Sequence, residues 1–192
     1  METIDAIETR RSIRKFKETP VPEEEIREIL RAATLAPSGK NRQPWRFIVV
    51  QGDRRAEMVQ VMQDGIGKLK DQGVETGSSE WTVKVMAQAP VTIFVFDGLE
   101  TFEGDEREFV DFLGDTVDIQ SIGAAIQNML LAATDRGMGT LWICDVFYAY
   151  PELCAWLDEE HLMVAAVSVG YPDEEPDARP RKSVDEVTRW MV

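Results

Sequence analysis

Arginines gather at two distant places in this chain, Arg10-Arg11-Ser12-Ile13-Arg14 near the start and Arg179-Pro180-Arg181-Lys182 near the finish. A guanidinium is planar, permanently charged and forked, so it matches phosphate oxygens, and a hydroxyl such as that of Ser12 can serve the same group. The clusters therefore point to a phosphorylated small molecule, with solvated surface charge as the alternative. A third segment, Pro37-Ser38-Gly39-Lys40-Asn41-Arg42-Gln43-Pro44-Trp45, crowds hydrogen-bonding side chains between two prolines. Pro37 ends the preceding helix and Pro44 fixes the start of the next strand, so Ser38, Asn41 and Gln43 sit on a rigid connection. Amides and hydroxyls held this way suit the edge of a heterocycle, although an ordinary capped turn has the same composition.

Histidine chemistry has little to work with. His161 is the single histidine, so a zinc site or a Ser-His-Asp or Cys-His engine would have to be built around it. Lying between Glu160 and an apolar strand, it reads as a structural turn residue. Cys144 and Cys154 match neither CxxC redox nor zinc spacing and read as reduced thiols. If the chain is an enzyme, something other than histidine carries the chemistry, and a bound cofactor fits. With 21 basic against 35 acidic residues the net charge is -14, a field that repels nucleic acid and anionic membrane surfaces. The start Met1-Glu2-Thr3-Ile4-Asp5 has neither a basic nor an apolar leader region, and no stretch approaches the length of a membrane span. The expected location is the cytoplasm.

The RRSxR start, the P-S-x-x-N-x-Q-P-W loop and the Arg-x-Arg near the C-terminus together resemble the nitroreductase-like family of FMN-dependent NAD(P)H oxidoreductases. The resemblance runs from Ile4 to Val187 and includes Gly137-Met138-Gly139-Thr140-Leu141-Trp142-Ile143, which looks like the family segment passing under the flavin. It implies a three-layer α-β-α sandwich with a mixed central sheet, forming an intertwined homodimer with FMN sites at the subunit interface. The long helix would lie at that interface and the C-terminal segment would reach across to the partner.

By the same resemblance, Arg10, Ser12 and Arg181 would hold the FMN phosphate, with Arg11 and Arg179 adding backbone or charge contacts. Arg14 would lie toward the pyrimidine end, where a fixed cation supports negative charge on the reduced ring. Lys84 is either a second such cation or a snorkelling helix lysine. Pro37, Ser38 and Asn41 would reach the flavin from the other subunit. Ile143, Cys144 and Asp145 would pass the flavin N5, with a main-chain N–H near Cys144 or Asp145 bonding to it. Cys144 is read as giving its backbone N–H while its thiol is buried and inert, the alternative being a redox thiol. No side chain is given a catalytic role, no metal is implied, and NADH or NADPH would be the co-substrate.

The elements that must position these residues follow from periodicity. A short helix around Ile4–Ile7 precedes a second one begun by Pro22-Glu23-Glu24-Glu25, whose Ile26, Ile29, Leu30 and Ala33 share a face. Trp45–Val50 reads as a mostly buried strand, with Trp45 in the core, and Gly52-Asp53 opens a helix through Met58, Met62, Ile66 and Leu69. Asp71–Ser79 is expected to be mobile, a helix Glu80–Gln88 stops at Pro90, and Val91–Phe96 is a strand followed by an acidic loop Asp97–Glu106. The longest helix presents Ile119, Ile122, Gly123, Ile126, Leu130 and Ala133 on one face and ends at Gly137. Thr140–Ile143 and Leu162–Val169 are strands flanking a short helix Pro151–Leu157. Tyr171–Pro180 is acidic, proline-rich and too polar to pack, and Ser183-Val184-Asp185-Glu186 is a capping box opening a last helix. With 192 residues, 44% apolar, the whole of 1–192 is expected to form one domain.

Three functions fit: a general FMN oxidoreductase passing electrons to a nitroaromatic, quinone or similar conjugated acceptor by a ping-pong mechanism; a specialised reductive dehalogenase or flavin-processing enzyme with a lid from Asp71–Ser79 or Asp97–Glu106; and a non-catalytic flavin-binding module.

Overall fold

A computed structural model describes residues 1–101 and 109–192, with side chains described outside 100–112. Four strands, β1 (Trp45–Gln51), β2 (Val91–Thr101), β3 (Gly139–Ile143) and β4 (His161–Gly170), form one sheet in the order β1-β2-β4-β3. Every ladder between these strands is antiparallel, with Trp45 opposite Asp97, Val91 opposite Val169 and Gly139 opposite Gly170. The parallel component of the expected mixed sheet is confined, among the described residues, to a bridge from Ser12 to Thr140 on the outer edge of β3.

Side chains alternate across a strand, so a central strand with an unbroken apolar run, as at Ile93–Phe96 of β2, must be covered on both faces. Val91, Ile93 and Val95 pack with Ile26, Ile29, Ile122 and Ile126, carried by α2 (Glu23–Thr34) and α5 (Phe109–Asp135). Phe94 and Phe96 face the other way, onto Met58, Met62, Met86 and Leu153 of α3 (Arg54–Asp71), α4 (Ser79–Gln88) and α6 (Tyr150–Leu157). The result is helices, sheet and helices in three layers, with α1 (Thr3–Thr9) and α7 (Val184–Val187) at the two ends of the chain. The capping box at Ser183 and Glu186 forms as the sequence predicts.

Several local expectations are revised. β1 is an edge strand, so only Val50 is buried and Trp45 is half-buried. β2 continues through Asp97-Gly98-Leu99-Glu100-Thr101, because Gly98 N–H donates to Pro44 O at 2.7 Å and Thr101 pairs with His161. The expected acidic loop thus loses its first five residues to the sheet, and its remainder lies outside the described residues. Asp71–Ser79 is tied down rather than free: Val74 N–H donates to Leu69 O at 3.0 Å, Ser79 N–H to Thr76 O at 3.0 Å, and both Thr76 and Ser79 are buried. On α5, Ile122, Ile126, Leu130 and Ala133 face inward as expected, whereas Ile119 is exposed alongside Leu113 and Val117.

Candidate active site

The arginine-rich start is held as an extra strip on the edge of β3. Ile13 N–H donates to Thr140 O at 2.9 Å, and the Ile13 and Phe16 side chains are buried in the core. Gly139 makes this approach possible, since a Cβ there would sit 2.5 Å from Ile13 Cγ1. With Ile13 pointing inward, extended geometry turns Ser12 and Arg14 to the opposite side. Arg11 bends back instead, donating from Nη1 to Glu8 O at 2.6 Å and to Arg10 O at 3.0 Å, so it caps the carbonyl end of α1.

The segment after β4 lies down on this strip, contrary to the expectation that it is too polar to pack. Lys17 N–H donates to Tyr171 O and Asp173 N–H to Lys15 O, each at 2.9 Å, around a bridge between Phe16 and Pro172. Glu174 Oε1 accepts from the main-chain N–H groups of Arg14 at 2.5 Å and Lys15 at 3.1 Å. Its carboxylate does the work a facing strand would do, satisfying two donors that would otherwise go unpaired. No sequence signal marked Glu174, which stands among several other acids.

This clamp leads the chain toward Arg179 and Arg181, and the charge of Arg181 is felt at Arg10. Burial pushes the Arg10 guanidinium down from its usual value, and the charges of Arg181 and then Arg11 push it the same way. Like charges gathered in a partly desolvated place are each destabilised until an anion arrives. A cavity of about 640 Å³ opens beside them, lined by Arg10, Arg11, Lys17, Gly139 and Glu174 among others. Arg181 Nη1 also donates to the carbonyls of Arg179 and Pro180 at 3.3 Å, curling the C-terminal cluster upon itself.

Further along the strip, Arg14 Nη1 donates to Ser12 O at 3.0 Å and its guanidinium lies 5.7 Å from the centroid of the Trp81 ring. An arginine over an indole face keeps its charge while its direction is fixed. Lys84, one turn beyond Trp81, is exposed and lines a groove with Lys70, Glu80 and Val83 between α3 and α4. The hydrogen bond and charge of Lys70 hold the Glu80 carboxyl below its usual value, and the charge of Lys84 adds a smaller push the same way.

At the end of β3 Ile143 is buried and Asp145 is half-buried. Asp145 Oδ2 accepts from Ser78 Oγ at 3.1 Å and Thr82 Oγ1 at 2.5 Å, so its side chain anchors the start of α4. Cys144 corrects one expectation: its side chain is exposed, not buried. Partial desolvation and then the Asp145 charge push the thiol above its ordinary range, which disfavours the thiolate.

The Pro37–Gln43 connection is shaped by backbone as much as by side chains. Lys40, Asn41 and Gln43 take φ values of 51°, 57° and 51°, a left-handed region that costs non-glycine residues roughly 1–3 kcal/mol each. Ser38 Oγ accepts from Gln43 N–H at 3.0 Å and Asn41 N–H donates to Ser38 O at 3.0 Å. The loop rests on α5, through Gly39 N–H to Ser121 Oγ at 3.2 Å and Arg42 to Asp118 at 3.0 Å. Arg10–Arg14 and Ile143–Asp145 therefore lie along β3 and at its end, with the charge of Arg181 felt at Arg10. Within one chain, no hydrogen bond or ion pair among the described residues joins Pro37–Asn41 to these residues.

The family model for the nitroreductase family matches residues 7–171. A protein of Archaeoglobus fulgidus provisionally named as an NADH dehydrogenase/NAD(P)H nitroreductase is 31% identical over 92% of this chain and 88% of its own length. The iodotyrosine deiodinase of Thermotoga neapolitana is 26% identical over 94% of both chains. Among solved structures, a provisionally assigned nitroreductase of Desulfovibrio desulfuricans in complex with FMN superposes with a TM-score of 0.76 at 27% identity, covering 100% of this chain and 98% of that one.

Proposed function

The chain belongs to the nitroreductase family, and from that premise we propose that it is an FMN-dependent oxidoreductase taking hydride from NADH or NADPH and passing electrons to a nitroaromatic, quinone or similar conjugated acceptor by a ping-pong mechanism. The observation that carries this reading is the Arg10–Arg14 strip held on the edge of β3 through Ser12, where the charge of Arg181 is felt at Arg10. FMN, when bound, supplies a ring that accepts hydride at N5 and returns electrons to the acceptor. The chain's residues bind and orient. Arg10, Ser12 and Arg181 grip the phosphate, with Arg11 and Arg179 contributing backbone or charge, and Arg14, steadied on Trp81, sets a cation near the pyrimidine end. Ile143, Cys144 and Asp145 offer main-chain groups toward N5, and Lys84 stands further along α4.

Pro37, Ser38 and Asn41 complete the site from a second subunit in this reading, which makes the enzyme a homodimer. The separation of that loop from the arginine strip within one chain supports it, as do Leu113, Val117 and Ile119 standing exposed on α5. No helix among the described residues is long and apolar enough to cross a membrane, and the proposed place of action is the cytoplasm. The deciding measurement is the absorbance spectrum of the purified protein, followed by steady-state NADH and NADPH oxidation with a quinone. A bound-flavin spectrum, FMN released on denaturation and quinone-dependent turnover are expected. Protein that neither carries nor takes up FMN overturns the reading, and FMN without turnover leaves a binding module. The second reading, a reductive dehalogenase, draws on the Thermotoga neapolitana relative; release of halide from a halogenated phenol in the same assay would favour it.

A further inference from the structure

Asp118 is fully buried in α5, and neither of its carboxylate oxygens has a hydrogen-bond partner of good geometry. Its compensation is the guanidinium of Arg42, 3.0 Å from Oδ2 and itself reaching toward solvent. A buried carboxylate is unfavourable unless paired, so this ion pair ties the position of Arg42 to the helix. One turn on, and on the same face, buried Ser121 donates to Val117 O at 2.8 Å and accepts from Gly39 N–H at 3.2 Å. Gly39 lies so close to the helix that a Cβ there would stand 2.4 Å from Val117 Cγ1.

Val117, Asp118 and Ser121 thus make a bed on which a loop with three left-handed, non-glycine residues is held. Such backbone persists only where its surroundings over-determine it. We propose that Asp118 and Ser121, acting through Arg42 and Gly39, are positioning residues that fix Ser38 and Asn41 in the geometry needed to meet the flavin ring. The proposal rests on the FMN reading above and adds that helix α5 sets the ring-side half of the site independently of the phosphate grip.

The test compares FMN and riboflavin titrations of purified, flavin-depleted protein, each variant's fold being checked by circular dichroism. Arg42→Gln and Asp118→Asn should each weaken both flavins by a similar factor of tenfold or more, because the loop meets the ring and both ligands carry it. The double variant should lose no more than the worse single, and Arg42→Lys should recover most of the affinity. The visible circular dichroism of bound FMN should change in the variants, reporting a ring whose surroundings have moved. Ser121→Ala, which leaves the ion pair intact, repeats the test if Asp118→Asn fails to fold. Affinities within twofold of the original in folded variants would overturn the proposal, as would additive losses or a loss confined to FMN. Wild-type protein that binds no flavin would instead defeat the FMN reading on which it stands.

Discussion

Arg10 is the residue at which charge, burial and chain topology converge. Its guanidinium is depressed by burial and by Arg181 and Arg11, so replacing either Arg10 or Arg181 relieves repulsion between like charges and, in the proposed reading, removes part of the phosphate grip. Arg10→Ala and Arg181→Ala are each expected to weaken FMN by about one to two orders of magnitude, the worth of one charge-assisted hydrogen bond, while riboflavin binding changes little. Parallel titrations of the two flavins check this, and equal losses would assign the arginines to folding or to the ring. Cys144 is expected to be chemically quiet although exposed. Its thiol lies above its ordinary range, so iodoacetamide should react slowly at neutral pH and faster as pH rises through and beyond the usual thiol value. Cys144→Ala should keep FMN and most quinone reduction, and a hundredfold loss of turnover, about 2.7 kcal/mol, would make the thiol a participant. The arginines were legible in the sequence because residue type and clustering already state their chemistry. Glu174 and Asp118 were not, since each acquires its role from a partner far along the chain, Arg14 in one case and Arg42 in the other.

Among the elements, β3 tolerates little change at its first residue. Gly139→Ala would drive a methyl group into Ile13, and overpacking of this kind costs roughly 1–3 kcal/mol. The strip bearing Ser12 and Arg14 must then lift from the sheet. A lower unfolding midpoint together with weakened FMN binding is expected, and unchanged binding would show that the strip is not held by that edge. The opposite end of the sheet carries a pH-sensitive tie. Burial works against the Glu159 carboxylate, but the His161 side chain and N–H and the Arg46 guanidinium more than compensate, and its carboxyl lies below the usual range. Arg46 Nε stands 2.7 Å from Oε2 and His161 Nδ1 2.5 Å from Oε1. A carboxyl whose value is lower in the folded state stabilises the fold above its unfolded value, and that stability is lost as pH falls through the lowered one. Chemical denaturation across the acid range should show this decline, and Glu159→Gln should flatten it. Strand positions were readable from apolar runs bounded by glycine and proline. The extension of β2 through Asp97-Gly98 was not, because its composition is that of a turn and its pairing partners, Pro44 and His161, are supplied by other elements.

At the scale of the molecule, exposed apolar residues mark where the proposed second subunit would sit. Ile119 and Phe147 border an apolar cavity of about 490 Å³ with Tyr150, Leu162, Met163 and Val164, and Val187, Trp190 and Met191 of the C-terminal segment are exposed as well. Light scattering during FMN titration should give a dimer with one FMN per chain, and a monomer binding FMN tightly would rule out the shared site. The three-layer architecture was legible because each layer is written in a local period. How the chain's two ends meet was not, since nothing local encodes a contact between residues 160 positions apart.

That contact also sets a clock. Synthesis proceeds from the N-terminus at about 5–20 residues per second, so the span separating Arg14 from Glu174 occupies roughly 8 to 32 s of translation. Throughout that interval the arginine strip has neither its clamp nor the second arginine cluster, so the phosphate grip proposed above is incomplete in the nascent chain. In the proposed reading FMN is captured only once the residues through Arg181 have been made, and chains ending before Arg179 are expected to compete poorly with longer ones for FMN.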